Sequence, residues 1–108
     1  MKLITAIVGK SDSLLLGDAL RKAGIYFTKI ATVGGFLDRG NFTLLICIDD
    51  DKVDFALKCI REHCSRRTEI KPMGTFLEGN GPMIGDLVPV NTGGATVFVT
   101  DVLYFEKM

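Results

Sequence analysis

The sequence predicts an α+β fold, a ferredoxin-like sandwich of βαββαβ order with an extra C-terminal strand. Short β-branched apolar runs alternate with two stretches of helical periodicity, and a length of 108 residues suits one domain, residues 1–108. Two β-α-β units in this order place both helices on one face of an antiparallel sheet. The predicted strands are too apolar for the other face to meet water alone, so the sequence also predicts association.

The first unit begins with residues 3–8, a nearly continuous apolar run that is typical of a strand buried on both faces. Ser11, Asp12 and Ser13 follow and are candidates for the N-cap of a helix. Gly24 stands where a helix C-terminal cap is expected. Between them, apolar residues at helical spacing predict one buried stripe: Leu16, Ala19, Leu20 and Ala23.

The middle of the chain predicts two strands and a second helix. Residues 25–32 are rich in β-branched and aromatic side chains, and residues 42–48 form the most continuously apolar run. The acidic triplet at residues 49–51 suits the positive end of a following helix. The helix itself is predicted from the spacing of Val53, Ala56, Leu57, Ile60 and Cys64.

The last third of the chain predicts short strands around a long loop. Residues 68–71 and 87–90 are candidate short strands, and residues 73–85 contain four glycines and a proline, which is typical of a long loop. Residues 95–100 (ATVFVT) have strong strand character, and residues 102–105 keep that character.

Composition excludes several classes of protein. Thirteen basic and thirteen acidic residues cancel, so no global charge favours nucleic acid or a membrane surface. The apolar run at residues 3–8 is too short for a signal peptide, and no run is long enough to insert into a membrane. Three cysteines without a CxxC pair suit a reducing compartment. We therefore expect a cytoplasmic protein that binds no nucleic acid.

Enzymatic and metal chemistry have weak support in the sequence. GNGPMIG at residues 79–85 has the wrong glycine spacing for a dinucleotide fingerprint and contains a proline. Cys59, His63 and Cys64 have a spacing that metal ligands can use, which is the basis for a metal-tolerance hypothesis. However, Cys64 lies on the predicted core stripe, where cysteine acts as a small hydrophobe. The sequence predicts no enzyme, no cofactor and no metal site.

The segment at residues 28–41, TKIATVGGFLDRGN, is the strongest candidate for a binding site. Glycines allow positive φ angles and close approach of a ligand to main-chain N–H groups. Phe36 offers a stacking face, and Asn41 offers an amide that both donates and accepts. The alternative is a hairpin connection whose turn requires glycine and nothing more.

Two glycine motifs together resemble the PII-like cyclic-di-AMP receptor family, in the nitrogen regulatory PII-like superfamily. They are TKIATVGGFLDRGN and GGATVFV at residues 93–99, and IVGKSD, DDDKVD and PMG extend the match over almost the whole chain. The resemblance implies a subunit that forms a homotrimer, with ligand sites in the clefts between subunits. It also implies a short loop after the second strand and a longer loop after the second helix.

The function that this resemblance implies is that of a non-enzymatic signal-transduction sensor. The sensor would bind cyclic-di-AMP or a related adenine nucleotide, and ordering of its loops would alter binding of an unknown protein target. Tyr26 offers an additional stacking face. By position, the ligand contacts fall on Thr28, Gly35, Phe36, Leu37, Asn41, Gly94 and Phe98.

Four positions differ from the family pattern. Gly24 and Tyr26 stand where the family typically has asparagine and arginine, Cys47 replaces a glycine, and Asp38 stands where a basic residue is frequent. Loss of an arginine removes a charge-assisted contact to phosphate. These differences favour an alternative function, a PII-like interaction trimer that has lost nucleotide binding and regulates a protein partner.

Overall fold

The computed structural model describes residues 1–34, 37–72 and 87–108. Two helices and six strands lie within these ranges, together with a 3₁₀ turn at Asp50–Lys52. In chain order they are β1 (Lys2–Gly9), α1 (Lys10–Lys22), β2 (Thr28–Gly34), β3 (Leu37–Ile48), α2 (Val53–His63), β4 (Arg67–Pro72), β5 (Leu87–Thr92) and β6 (Ala95–Asp101).

One antiparallel sheet of four strands organises the chain, in the order β2-β3-β1-β6. The sheet and its two helices are consistent with the predicted ferredoxin-like fold. The short strands predicted at residues 68–71 and 87–90 are confirmed as β4 and β5, but they pair with each other in a separate two-stranded sheet. The strand that completes the main sheet after the second helix is therefore β6.

Two strand boundaries differ from the predictions. β2 begins at Thr28 and not at residue 25, and β3 begins at Leu37, so strand pairing continues into the glycine segment. The strand character predicted for residues 102–105 is wrong, because no strand forms there. The amide of Val102 still donates to the carbonyl of Met1. The predicted loop at residues 73–85 lies outside the described residues.

The core lies between the sheet and the helices. Alternate residues of β1 and β3 are fully buried there, and they pack with residues of both helices. The prediction that the first strand is buried on both faces is wrong for the single chain, because Leu3, Thr5 and Ile7 on the other face are only half-buried. The buried sheet residues are Ile4, Ala6, Val8, Leu44, Ile46 and Ile48, and the helical ones include Leu16, Leu20, Ala56 and Ile60.

The ends of α1 show which capping predictions are correct. The N-cap is Gly9, so the prediction of a cap at residues 11–13 is wrong, because the helix already begins at Lys10. The predicted C-terminal cap is confirmed: Gly24 has a φ of 75°. Its amide donates to the carbonyl of Arg21 at 3.0 Å, and the amide of Ile25 donates to the carbonyl of Leu20 at 2.9 Å. This pair of bonds is a Schellman motif, which reverses the chain towards β2.

Candidate ligand-binding site

The first group of predicted contacts lies at the β2 edge of the sheet. The Schellman motif buries Ile25, and Tyr26 next to it is 90% exposed. Thr28 opens β2 and is also exposed, with its side chain on the face of the sheet that no helix covers. A phenol ring and a hydroxyl are therefore presented to solvent beside one another at an edge strand.

Asn41 lies one strand further in and is buried, with only 5% of its surface exposed. It pairs with Thr32 of β2 on one side and with Gly9 of β1 on the other. Close by, the hydroxyls of Thr32 and Thr43 share a hydrogen bond of 2.9 Å. The sequence predicted an accessible amide, whereas in the single chain most of Asn41 is covered.

Two of the predicted contacts cannot be placed, and a third only in part. Gly35 and Phe36 lie outside the described residues. Leu37 is the first residue of β3, and its backbone pairs with Gly34 across an irregularity in the register. The glycine segment therefore does connect two paired strands, β2 and β3, as the alternative interpretation of a hairpin predicted.

The second group of predicted contacts lies at the opposite edge, on β6. Gly94 has a φ of 86° and precedes the first residue of that strand. Phe98 is 45% exposed on the uncovered face. Gly93 has a φ of 81°, and a Cβ atom there would come within 2.4 Å of the Ser65 carbonyl oxygen. Both glycines are therefore required by the backbone itself, and Gly93 also by a close approach.

A single cross-strand row shows how far apart the two groups are. Thr28 pairs with Leu45, Leu45 with Thr5, and Thr5 with Phe98. Three strand spacings separate Thr28 from Phe98, or about 14 Å. The predicted contacts thus form two half-sites in one chain, a β2 half-site (Tyr26, Thr28) and a β6 half-site (Gly94, Phe98).

The uncovered face of the sheet, which we call the open face, is largely apolar between these half-sites. In the single chain Ile30 keeps 43% of its surface exposed, and Cys47 is also exposed. The remaining apolar side chains of this face are half-buried: Leu3, Ile7 and Leu45. An exposed apolar patch of this kind is typical of an interaction surface.

The base of the β4-β5 hairpin is tied to α1 by an ion pair that the sequence did not reveal. Arg67 donates to both carboxylate oxygens of Asp12, at 2.9 and 3.4 Å, and the Asp12 side chain is only 6% exposed. Hydrogen bonds to Asp12 and then to Glu69 raise the pKa of Arg67. The two partners lie 55 positions apart, so no local pattern signals the contact.

Two other arginines line a cavity of about 410 Å³ beside Gly94. Arg61 comes from the last turn of α2, and Arg66 lies between that helix and β4. The neighbouring Arg67 is engaged by Asp12, whereas Arg66 lines this cavity. The β6 half-site therefore has positive charge close to its glycine.

Cys59, His63 and Cys64 take structural positions. Nδ1 of His63 lies 2.8 Å from the carbonyl oxygen of Cys59, which is a contact within one helical turn. Cys64 is buried, and burial raises the pKa of its thiol to about 12. Among the described residues, no group of three or more potential ligands is placed to hold a metal ion.

The fold defines a small α+β domain with the predicted ligand contacts at both edges of an open apolar face. The chain belongs to the cyclic-di-AMP receptor family, whose match covers residues 1–108, and this family is PII-like. It is a family of binding and signalling proteins. Within the described ranges, no helix is long and apolar enough to cross a membrane.

A solved structure supports the fold. It is described as the crystal structure of a functionally unknown protein from Pediococcus pentosaceus ATCC 25745. The two chains share 34% sequence identity, and the match covers 99% of this chain and 96% of the other, with a TM-score of 0.78.

Proposed function

We propose that this protein is a cytoplasmic, homotrimeric sensor that binds cyclic-di-AMP or a related adenine nucleotide in clefts between subunits. The observation that supports this most directly is the separation of the two half-sites. Groups about 14 Å apart across one sheet do not converge on one base, whereas edges of two neighbouring copies can. In a closed ring each interface joins two different patches of the chain, here the β2 edge and the β6 edge.

The chemistry of the half-sites suits a nucleotide. The Thr28 hydroxyl and main-chain N–H groups near Gly94 can donate to phosphate oxygens. The Asn41 amide can pair with the N6 and N7 edge of adenine once a ligand opens its surroundings. Phe98 and Tyr26 present aromatic faces, and one base stacked on an aromatic side chain gains on the order of 1–3 kcal/mol.

Positive charge for the phosphates would come from this chain's own arginines. The family's arginine is replaced by Tyr26, but Arg61 and Arg66 line the cavity beside Gly94. An arginine donates hydrogen bonds to phosphate with fixed geometry, so it can substitute for the missing contact from the other side of the cleft. This arrangement favours binding of a phosphate ligand in spite of the Tyr26 replacement.

The signal would be a change of surface. We infer that bound nucleotide orders the segment that joins β2 to β3 and the long segment that joins β4 to β5, and so changes what a protein target meets. Gly93 and Gly94 link β5 to β6, so the β6 half-site adjoins the hairpin base that Arg67 and Asp12 hold. Ordering of a segment by a ligand is an established switching mode.

Calorimetric titration tests this function. Cyclic-di-AMP, ATP and cyclic-di-GMP are each added to the full chain, and we expect heat with an adenine nucleotide and none with cyclic-di-GMP. Thr28→Val is expected to weaken binding several-fold, because one hydrogen bond contributes about 1 kcal/mol. Thr100→Val is the matched control. Thr100, in β6, is also an exposed threonine on the open face, but it lies outside both half-sites. No heat with any of the nucleotides would exclude the sensor.

A second function is favoured by Tyr26, which is 90% exposed where the family has an arginine. The protein would then be an interaction trimer that regulates a protein partner without a nucleotide. The two functions differ in one measurement: a partner that co-purifies with the chain should be released or recruited by nucleotide only in the sensor.

A further inference from the structure

One side chain, that of Arg67, contacts four separate parts of the chain. Its terminal nitrogens donate to both carboxylate oxygens of Asp12 in α1, at 2.9 and 3.4 Å. Its Nε donates to Glu69 of β4 at 3.0 Å, and its Nη1 donates to the carbonyl oxygen of Ser65 at 3.2 Å. The fourth part is Gly93, where a Cβ atom would lie 2.5 Å from Nη1. Arg67 therefore joins α1, the link after α2, the hairpin and the junction before β6.

The carboxylate partner of Arg67 is buried, and this fixes where the guanidinium must lie. The Asp12 side chain is only 6% exposed, whereas that of Arg67 is 39% exposed. A buried carboxylate that loses its cation is strongly unfavourable, because the charge is then shielded from water and no longer paired. Arg67 also pairs with Thr92 in the first pair of the β4-β5 hairpin. The ion pair therefore holds the hairpin base against the start of α1.

The junction between β5 and β6 packs on Arg67 and on the residue before it. Gly93 lies against Nη1 of Arg67 and against the carbonyl of Ser65, with no room for a side chain. At Gly94, a Cβ atom would lie 3.8 Å from the Cβ atom of Arg66. A shift of Arg67 would therefore also shift Gly94, which belongs to the β6 half-site, and Arg66, which lines the cavity beside it.

The ion pair is also close in the fold to a second predicted ligand contact, Asn41. β1 ends at Gly9, which pairs with Asn41 and is the N-cap of α1. Asp12 lies in the first turn of that helix. Two predicted ligand contacts of one chain, Asn41 and Gly94, are therefore connected through the start of α1 and Arg67.

We propose that the Asp12–Arg67 ion pair is the positioning element that sets nucleotide affinity at the β6 half-site and couples that affinity to the β4-β5 hairpin. This inference rests on the proposed function, because it concerns affinity for the nucleotide. Arg67 does not contact the ligand itself, but holds Gly94 and Arg66 where they can donate to phosphate. Because coupling between two sites is reciprocal, a ligand that binds this arrangement also stabilises the hairpin in the position that Arg67 fixes.

The isosteric substitution Asp12→Asn distinguishes a positioning role of Arg67 from direct binding of phosphate. Asparagine has one acceptor oxygen where aspartate has two, so it no longer holds both terminal nitrogens of Arg67. A released arginine that contacted phosphate directly would strengthen binding. A released positioning arginine no longer holds Gly94 in place. We therefore expect the dissociation constant for cyclic-di-AMP to rise about tenfold, as is typical of coupling between two sites.

Calorimetric titration of the full chain measures this rise against two control variants. Ile4→Val removes a methyl group from a fully buried side chain and lowers stability by a comparable amount without touching the ion pair. Asp18→Asn removes a carboxylate of the same helix whose pair with Arg21 is exposed. Both controls should bind cyclic-di-AMP with an unchanged dissociation constant.

Amide hydrogen exchange at saturating cyclic-di-AMP is the second readout. In the unmodified chain the ligand should slow exchange in β4 and β5 about tenfold, and in Asp12→Asn less than about twofold. Equal protection in both proteins would overturn this inference, as would a similar rise of the dissociation constant in Ile4→Val. Unchanged or tighter binding by Asp12→Asn would also overturn it, and each of these results leaves the sensor function standing. An unmodified chain that gives no heat with any of the nucleotides would overturn both.

Discussion

The two faces of the main sheet differ in how far a single chain completes them. On the helix-covered face, Ile4, Ala6, Leu44 and Ile46 are fully buried by α1 and α2. On the open face, neighbouring residues of the same two strands, such as Leu3 and Leu45, are half-buried, and Phe98 of β6 is 45% exposed. The same strands therefore contribute to a buried core on one side and to a partly exposed apolar surface on the other.

The two faces therefore contribute differently to stability and to function. The helix-covered face holds the fold together within one chain, and the residues predicted to bind ligand lie at the edges of the open face. Because apolar surface gains stability only when water is removed from it, the part of the open face that is still exposed can contribute to stability only through association. Effects of mutations should divide along the same line.

The largest expected effect comes from the helix-covered face. Leu44→Ala should lower the free energy of unfolding by about 2–5 kcal/mol, since it leaves a cavity in a fully buried site. Leu45→Ala, one residue further along β3, should instead make thermal stability depend more steeply on protein concentration. Urea unfolding and melting at several concentrations check the pair. If both variants lowered the free energy of unfolding of the dilute monomer by a similar amount, the distinction between the two faces would be contradicted.

The junction between β5 and β6 should be nearly as sensitive. At Gly93 the φ angle is positive and an added Cβ would meet the Ser65 carbonyl at 2.4 Å, so Gly93→Ala should cost about 2–3 kcal/mol. Gly24→Ala is the control, because its φ is also positive but nothing lies within 4 Å, and about 1 kcal/mol is expected. Chemical denaturation measures both, and a larger loss at Gly24 would contradict the close approach at Gly93.

A smaller effect is expected from the ion pair that ties the hairpin to α1. Asp12→Asn should cost about 1–2 kcal/mol, because Arg67 is partly exposed and keeps Glu69 as a partner. Amide hydrogen exchange should become faster in β4 and β5 and stay unchanged in β1. Asp18→Asn provides the control, since its pair with Arg21 is exposed. Unchanged exchange in the hairpin would mean that the ion pair does not hold it.

The smallest effect distinguishes the cysteines of the two faces. Cys47 is exposed on the open face, whereas burial raises the pKa of the Cys64 thiol from 9.0 to about 12. At pH 8 and at a dilution where the chain is monomeric, iodoacetamide should modify Cys47 and leave Cys64 intact. Since the folded pKa is the higher one, the stability from Cys64 is present below pH 9 and is lost as pH rises towards 12. The loss should be roughly 1 kcal/mol at pH 10. Alkylation of Cys64 in the native state, followed by mass spectrometry, would contradict this.

Much of the fold could be predicted because its signals are local. Periodicity was enough for α1 and α2, and the glycine after α1 was recognisable because only positive φ allows that turn. The N-cap prediction was wrong because Ser11, Asp12 and Ser13 all have the chemistry of a cap. Tertiary contacts use Asp12 for an ion pair instead, and the helix starts before them.

The parts that could not be predicted depend on long-range pairing. No pattern in residues 68–71 or 87–90 says that they pair with each other and leave the fourth position of the sheet to β6. The burial of Asn41 and the distance from Thr28 to Phe98 likewise follow from strand order and register. The sequence could identify candidate contacts, but only the topology divides them between two edges.

The central claim is that each ligand site joins the β2 half-site of one copy to the β6 half-site of another, and subunit mixing tests it most directly. One full chain carries Tyr26→Ala with Thr28→Val, and a second carries Phe98→Ala, so that neither binds cyclic-di-AMP tightly alone. When the two are co-expressed, each mixed trimer regains one cleft with two intact halves. Calorimetric titration should then show cyclic-di-AMP binding at the affinity of the unmodified protein and at reduced stoichiometry. Mixed trimers that bind no better than their parents would contradict the claim.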